Sequence, residues 1–266
     1  VNLQNKIFTV TGGGSGIGRE LVLQLLIKGA RVAATDVNEI SLRETAGLAG
    51  DAAERLSLHV FDLTDKEKIY ALPADIIHIH GSVDGLINNA GIIQPFVSVS
   101  ELAQETADRL FQVNFFGTFH MIKAFLPHLL KRPESQIVNI CSMGGFIPFP
   151  GQTLYGASKA AIKLLTEGLN SELINTPVSV MLVLPGAVNT NIMQNSGVAL
   201  SYPNPDIKKH RITRADLAAK KIISAMEKNA YRVFVGTDAR LMDILYRLMP
   251  TTASKFIAAQ MAKINQ

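Results

Sequence analysis

Apolar runs of strand length alternate with stretches of helical period along almost the whole chain, and that alternation leaves few folds open. Strands are predicted at 6–10, 31–35, 56–60, 83–88, 136–141, 178–184 and 232–235. Repeated strand-helix units imply a parallel sheet covered on both faces, because each crossover must return the chain to the same edge. Right-handed crossovers then place helices on alternating faces as the sheet winds outward. The expected fold class is α/β, with seven parallel strands. No linker, composition shift or repeat of 20 to 50 residues divides the 266 residues, so one domain over 1–266 is expected, which α/β chains of this length support. Charged residues make up 18%, below the ~25% of ordinary globular chains, as suits a large buried core rather than disorder.

The first strand, I-F-T-V, runs into T-G-G-G-S-G-I-G-R-E and then into the helical pattern L-V-L-Q-L-L-I. Backbone N–H groups at a helix N-terminus carry partial positive charge, and residues without Cβ let a pyrophosphate approach them, so Gly12, Gly14, Ser15, Gly16, Ile17 and Gly18 form a candidate dinucleotide cradle. The glycine spacing is T-G-x-x-x-G-x-G rather than G-x-G-x-x-G, and a purely structural turn is the competing reading. Asp36 ends the second strand, eighteen residues beyond Gly18. A carboxylate there accepts hydrogen bonds from both adenosine ribose hydroxyls and repels a 2′-phosphate, which favours NAD over NADP; an N-cap role for the next helix is the alternative, and the two are compatible. The architecture is therefore Rossmann-like and doubly wound.

Tyr155 and Lys159, in L-Y-G-A-S-K, stand four apart, which on a helix puts phenol and ammonium on one face about 6 Å apart along the axis. Free tyrosine titrates near pH ~10, and a cation beneath it favours the phenolate. Ser142 ends the apolar strand Q-I-V-N-I-C, and strand C-termini in such sheets face the cofactor crevice. The segments 88–91 and 185–190 are expected at the same edge.

With these motifs in this order, the sequence resembles the short-chain dehydrogenase/reductase family in its compact single-domain form, by motif over about residues 5–190. The resemblance implies Tyr155 as the acid/base, Ser142 as the group orienting the reacting oxygen, and Lys159 as the residue that lowers the Tyr155 pKa and binds the nicotinamide ribose. Asn114, in F-Q-V-N-F-F-G, matches the family asparagine that interrupts a helix and holds a water leading to Lys159. The resemblance also places Asp62 and Leu63 at the adenine, Asn89, Ala90 and Gly91 along the adenosine ribose, and Pro185, Gly186, Val188 and Thr190 at the nicotinamide. Ser15 replaces the basic residue common in members that prefer NADP. The expected activity is NAD-dependent hydride transfer between nicotinamide and a hydrophobic secondary alcohol or ketone.

Substrate contacts are expected from Ser142, Tyr155, the loop at 143–150 with Gly144 and Phe146, from Gln152, from the apolar loop at 92–97, and from a lid at about 187–212 carrying Met193, Val198, Leu200 and Tyr202. No metal site is expected: His78 and His80 have no third ligand nearby. The lone Cys141 allows no intrachain disulfide and suits a reducing compartment. The N-terminal V-N-L-Q-N-K has no signal-like pattern and no apolar run reaches ~18 residues, so a cytoplasmic protein without a membrane-spanning segment is expected.

A net charge of +4 is too mild to indicate nucleic acid. Eight basic and two acidic residues nevertheless crowd 207–232, either a solvated helix face or a seat for an anionic substrate tail or membrane. Two short amphipathic helices are expected at about 238–264, packing on the core, joining subunits, or resting on a membrane, the first two favoured. The resemblance implies a homodimer or homotetramer built on 108–130 and 155–175. Two rival functions remain at this level: a non-catalytic dinucleotide-binding regulator, and an NADPH-dependent acyl-thioester reductase whose basic segment at 208–214 docks an acidic carrier.

Overall fold

A computed structural model describes residues 2–198 and 212–264. Seven strands form one sheet: β1 (Ile7–Thr11), β2 (Arg31–Asp36), β3 (Leu56–Val60), β4 (Gly85–Asn88), β5 (Ser135–Ile140), β6 (Val178–Pro185) and, at the far edge, a strand at Arg232–Val235. All pairings are parallel. Counting the two short strands β7 (Val188–Asn189) and β8 (Thr213–Arg214), the edge strand is β9, and the sheet order is β3-β2-β1-β4-β5-β6-β9. The predicted strands are all present, two of them (56–60 and 232–235) with the expected bounds and the others with ends displaced by at most two residues. β4 starts at Gly85 rather than 83 because the buried Asp84 turns its carboxylate back to accept from the Ile7 N–H and the Arg132 guanidinium, while its own N–H donates to the Ile7 carbonyl.

Alternation along each strand fixes which face each side chain serves. Phe8, Val10, Val32, Ala34, Ile87 and Val138 face one core, closed by α1 (Gly16–Ile27) and α8 (Ala215–Glu227) through Leu21, Leu25, Ile222 and Met226. Their neighbours Ile7, Ala33, Leu86 and Ile137 face the other core, closed by α3 (Lys66–His80) and α5 (Thr118–Leu129) through Ile69, Ile76, Met121 and Phe125. Fully burying one such side chain stabilises the fold by roughly 1.5–3 kcal/mol, so both faces are strongly specified. The remaining helices are α2 (Glu39–Leu48), α4 (Gln104–Phe111), α6 (Thr153–Glu172), α7 (Ile192–Asn195), α9 (Thr237–Leu248) and α10 (Pro250–Ile264).

The long helical run at 108–130 is interrupted around Asn114, as the resemblance implies: a π-helical turn, Gln112–Gly117, separates α4 from α5. In the expected lid, β7 pairs with β8 and α7 follows, while residues 199–211, with Leu200, Tyr202 and the basic residues Lys208, Lys209 and Arg211, lie outside the described residues. In the described part of the basic segment, Lys220 and Lys221 sit on the solvent side of α8, as a solvated helix face requires. No described helix is long and apolar enough to cross a membrane.

Candidate active site

Strand order reverses at β1, where β4 leaves on the opposite side from β2, and a crevice opens at the C-terminal ends of the strands there. Gly12 (φ 68°) and Gly16 (φ 52°) hold left-handed backbone, and a Cβ at Gly18 would overlap the Gly12 carbonyl oxygen, so the turn closes on itself only with these glycines. The side chain of Ser15, at the N-cap position of α1, makes no capping bond, which leaves first-turn N–H groups facing the crevice. Gly14 and Gly18 back the loop rather than line the crevice. Gly12, Ser15, Gly16 and Ile17 line it.

Asp36 reaches the crevice from the end of β2, and its carboxylate accepts from the Gly14 N–H at 2.9 Å and the Asn38 N–H at 3.0 Å. The N-cap of α2 is Asn38, whose side chain accepts from the Ser41 N–H; Asp36 is therefore not the cap considered from sequence. Each Asp36 oxygen retains acceptor capacity toward the crevice, since a carboxylate oxygen takes about two hydrogen bonds. Asp62 and Leu63 line the same end. Burial raises the Asp62 pKa, but hydrogen bonds from Arg109, at 2.6 Å, and Thr64 outweigh it and hold the carboxyl below its usual range. Thr11 pins the next stretch: its hydroxyl accepts from the Asn89 and Ala90 N–H groups, while the Asn89 amide donates to the Thr11 and Gly12 carbonyls.

At the other end stand Ser142, Tyr155 and Lys159, all on the crevice wall. The Ser142 Oγ accepts from the Gly144 N–H at 3.0 Å, which leaves its own proton to donate. Lys159 is buried, with Nζ donating to the Ile140 carbonyl at 3.1 Å beside Gly91, and burial pushes its pKa down. Burial also pushes the Tyr155 phenol up to about 12, with the Ser142 hydroxyl pulling the other way. The expected lowering by Lys159 is thus not what dominates: desolvation of the phenol wins, and the ammonium is committed to a carbonyl.

Asn114 lies beneath this group rather than on the wall, within the π-turn. Its side chain accepts from the Ile92 N–H and donates to the Ile92 carbonyl and the Ser158 hydroxyl, which ties α6 to the loop after β4. Cys141 is buried, its thiol donating to the Lys159 carbonyl at 3.0 Å.

Pro185, Gly186, Val188 and Thr190 line the third wall, and Thr190 packs where a Gly16 Cβ would be. The α7 segment crosses toward the glycine loop, with the Asn195 amide donating to the Ser15 hydroxyl and Ser196 accepting from the Ile93 N–H. Of the substrate contacts expected from sequence, Ser142, Tyr155 and Ile92 line the crevice, as do Val188, Thr190, Ile192 and Asn195 of the lid segment, while Leu200 and Tyr202 lie outside the described residues. Gly144 lies against the Tyr155 ring. Phe146 packs instead against Phe234, ring centroids 6.4 Å apart, because β9 offers an apolar seat there. Gln152 is buried and donates to the Gln94 carbonyl, and Met193 lies on α7 off the wall.

Sequence reasoning did not single out Thr11, Phe61, Arg109, Ile192 or Asn195, which line or brace the crevice, nor Gln94. Gln94 is fully buried: its side chain accepts from the Tyr155 N–H at 2.9 Å and donates to the Gly151 carbonyl at 3.1 Å. A lone polar residue in the apolar run I-I-Q-P-F-V was the available signal.

Comparison with known proteins agrees with this architecture. The family model for short chain dehydrogenases matches residues 6–200. SadH of Mycobacterium tuberculosis is 33% identical, over 98% of this chain and 97% of that protein. A 3-oxoacyl-[acyl-carrier-protein] reductase, FabG of Thermotoga maritima, is 32% identical over 71% of this chain and 77% of its own length. Among solved structures, a short chain dehydrogenase/reductase from Burkholderia phymatum in complex with NAD superposes with a TM-score of 0.82 at 25% identity, covering 93% of this chain and 96% of that one. One from Burkholderia cenocepacia in complex with NADP gives 0.80 at 27%, covering 97% and 99%. With a family match over most of its length, a full-length relative and a crevice built from the motifs named above, the chain belongs to the short-chain dehydrogenase/reductase family of oxidoreductases.

Proposed function

We propose that the protein is an NAD-dependent oxidoreductase that interconverts a hydrophobic secondary alcohol and its ketone. The observation that carries this reading is the shared wall on which Ser142, Tyr155 and Lys159 stand beside Gly91, opposite a glycine cradle with unused N–H groups. The cradle suits a dinucleotide: Gly12 and Gly16 line it without side chains, Asp36 keeps acceptor capacity for ribose hydroxyls, and no basic side chain stands at position 15 to hold a 2′-phosphate.

Gly12, Ser15, Gly16 and Ile17 would hold the pyrophosphate, Asp36 the adenosine ribose, Asp62 and Leu63 the adenine. Asn89, Ala90 and Gly91 would follow the sheet edge, with Lys159 at the second ribose and Pro185, Gly186, Val188 and Thr190 around the nicotinamide. When bound, nicotinamide supplies or accepts the hydride. The chain's own residues do the rest. Ser142, its Oγ oriented by the Gly144 N–H, donates to the substrate oxygen. Tyr155, protonated at neutral pH because burial holds its pKa near 12, gives its proton to the oxygen as charge develops in reduction and takes it back in oxidation. Lys159 and Asn114 fix the floor beneath it. Ile92, Val188 and Ile192 give the crevice an apolar lining that favours a hydrophobic substrate over a sugar.

Calorimetric titration with NAD and NADP in parallel tests the cofactor half of this reading. NAD is expected to bind at least about tenfold more tightly, and Asp36→Ala to erase most of that difference. Tighter binding of NADP to the unaltered protein would overturn the preference and favour the acyl-thioester reductase reading.

A further inference from the structure

The two C-terminal helices bury Ala239, Ala253 and Ile257 but leave several large apolar side chains outward. On α9, Leu241, Ile244 and Leu248, spaced along one helical face, are exposed, Leu241 at 65% and Leu248 at 74%. Met249 and Phe256 continue this exposure into α10, which packs against α9. The inward side of α9 buries Ala239 and Asp243, and Asp243 accepts from Arg232 of β9 at 2.9 Å and from Arg247. An ion-paired anchor therefore seats the helix and leaves its apolar stripe to solvent. Stripes of this kind on a soluble fold mark interaction surfaces, unlike single scattered leucines.

Charge decides what the surface fits. The only carboxylates of 237–264 are Asp238 and Asp243, and both are committed: Asp238 accepts from the Ala187 N–H, Asp243 from the two arginines. The exposed charged residues of the described surface are Arg240, Arg247 and Lys255, all cationic. A second copy of the chain meeting this face about a two-fold axis would bring like charges together with no exposed carboxylate on these helices to match them. An apolar stripe rimmed by cations fits an anionic lipid surface, where the stripe enters the acyl boundary and Arg240 and Lys255 meet headgroups.

The platform adjoins the substrate end of the crevice. Asp238 at the start of α9 holds Ala187, next to the crevice residues Pro185 and Gly186, and α9 also packs against 143–145, beside Ser142. We propose that α9 and α10 are a docking platform for the surface of an anionic lipid bilayer, a role that does not depend on the proposed catalysis. A protein seated this way would meet apolar substrates at the bilayer rather than from water.

Sedimentation of the full chain with vesicles, free of cofactor and substrate, tests the proposal. Phosphatidylcholine vesicles containing phosphatidylglycerol should bind roughly tenfold more protein than pure phosphatidylcholine, and binding should weaken as salt rises. The double variant Leu241→Gln/Leu248→Gln, altered only at exposed positions, should lose at least about tenfold of that binding while keeping its circular dichroism and oligomeric state. Arg240→Gln/Lys255→Gln should lose the preference for anionic vesicles. Absence of binding to anionic vesicles, or equal binding by the wild type and the leucine variant, would overturn the proposal. So would a leucine variant that dissociates a wild-type oligomer, which would assign the stripe to a second copy.

Discussion

Tyr155, the acid/base of the proposed reaction, also shows the clearest consequence of burial. A phenol with a folded pKa near 12, against ~10 unfolded, binds its proton more tightly in the native state. Its contribution to stability is therefore complete below pH ~10 and is lost as pH rises toward 12, an effect on the order of 2–3 kcal/mol. Lys159 acts with the opposite sign: its depressed folded pKa adds stability as pH rises toward the unfolded lysine value near ~10.4, so the window above that belongs to the tyrosine. Urea denaturation at pH 10.5 and 11.5 should show wild type losing stability that Tyr155→Phe does not lose. Equal losses in both proteins would contradict the burial argument. The sequence placed Tyr155 and Lys159 on one helical face, but it held no information on desolvation, which depends on what the rest of the fold packs over them. Asp36 shows the same limit: its strand-end position was legible, whereas its grip on the Gly14 N–H depends on a turn closing across from it.

Elements position these groups, and α6 owes its N-terminus to a residue far away in sequence. Gln152 occupies the N-cap position without a side-chain capping bond, and Gln94 supplies the acceptor for the Tyr155 N–H instead. Gln94→Ala would strand that donor and the Gly151 carbonyl, costing about 1–3 kcal/mol. Thermal unfolding should register that loss, and turnover should fall by roughly tenfold with little change in NAD affinity, because the glycine cradle is untouched. Unchanged stability and turnover would show that Gln94 does not set the helix. Regular elements were legible because apolar period is a local signal, and all seven sheet strands follow it. The π-turn at Gln112–Gly117 was not marked by periodicity; it sits where the Asn114 side chain is tied to Ile92 and Ser158. Nor could β7 and β8 be read, since two residues carry no period.

At the scale of the molecule, topology does the assembling: reversal of strand order at β1 brings the ends of β1, β2, β4, β5 and β6 to one crevice, so residues as distant in sequence as Ser15 and Asn195 become neighbours. That convergence was readable because ordered motifs and strand-helix alternation imply it together. The placement of Phe146 and Gln152 away from the crevice was not, since loop side chains take whichever partner the assembled fold offers, here Phe234 and Gln94. The outward apolar stripe of α9 was likewise hidden: an amphipathic pattern does not reveal that Asp243 supplies the inner anchor. The central claim, that Tyr155 moves the proton while a nicotinamide moves the hydride, is tested most directly by following reduced-cofactor absorbance with NAD and a panel of secondary alcohols. Wild type should turn over, and Tyr155→Phe should retain NAD affinity while its rate falls by about 10²–10⁴. A Tyr155→Phe protein that matches the wild-type rate on the same alcohol would contradict the account.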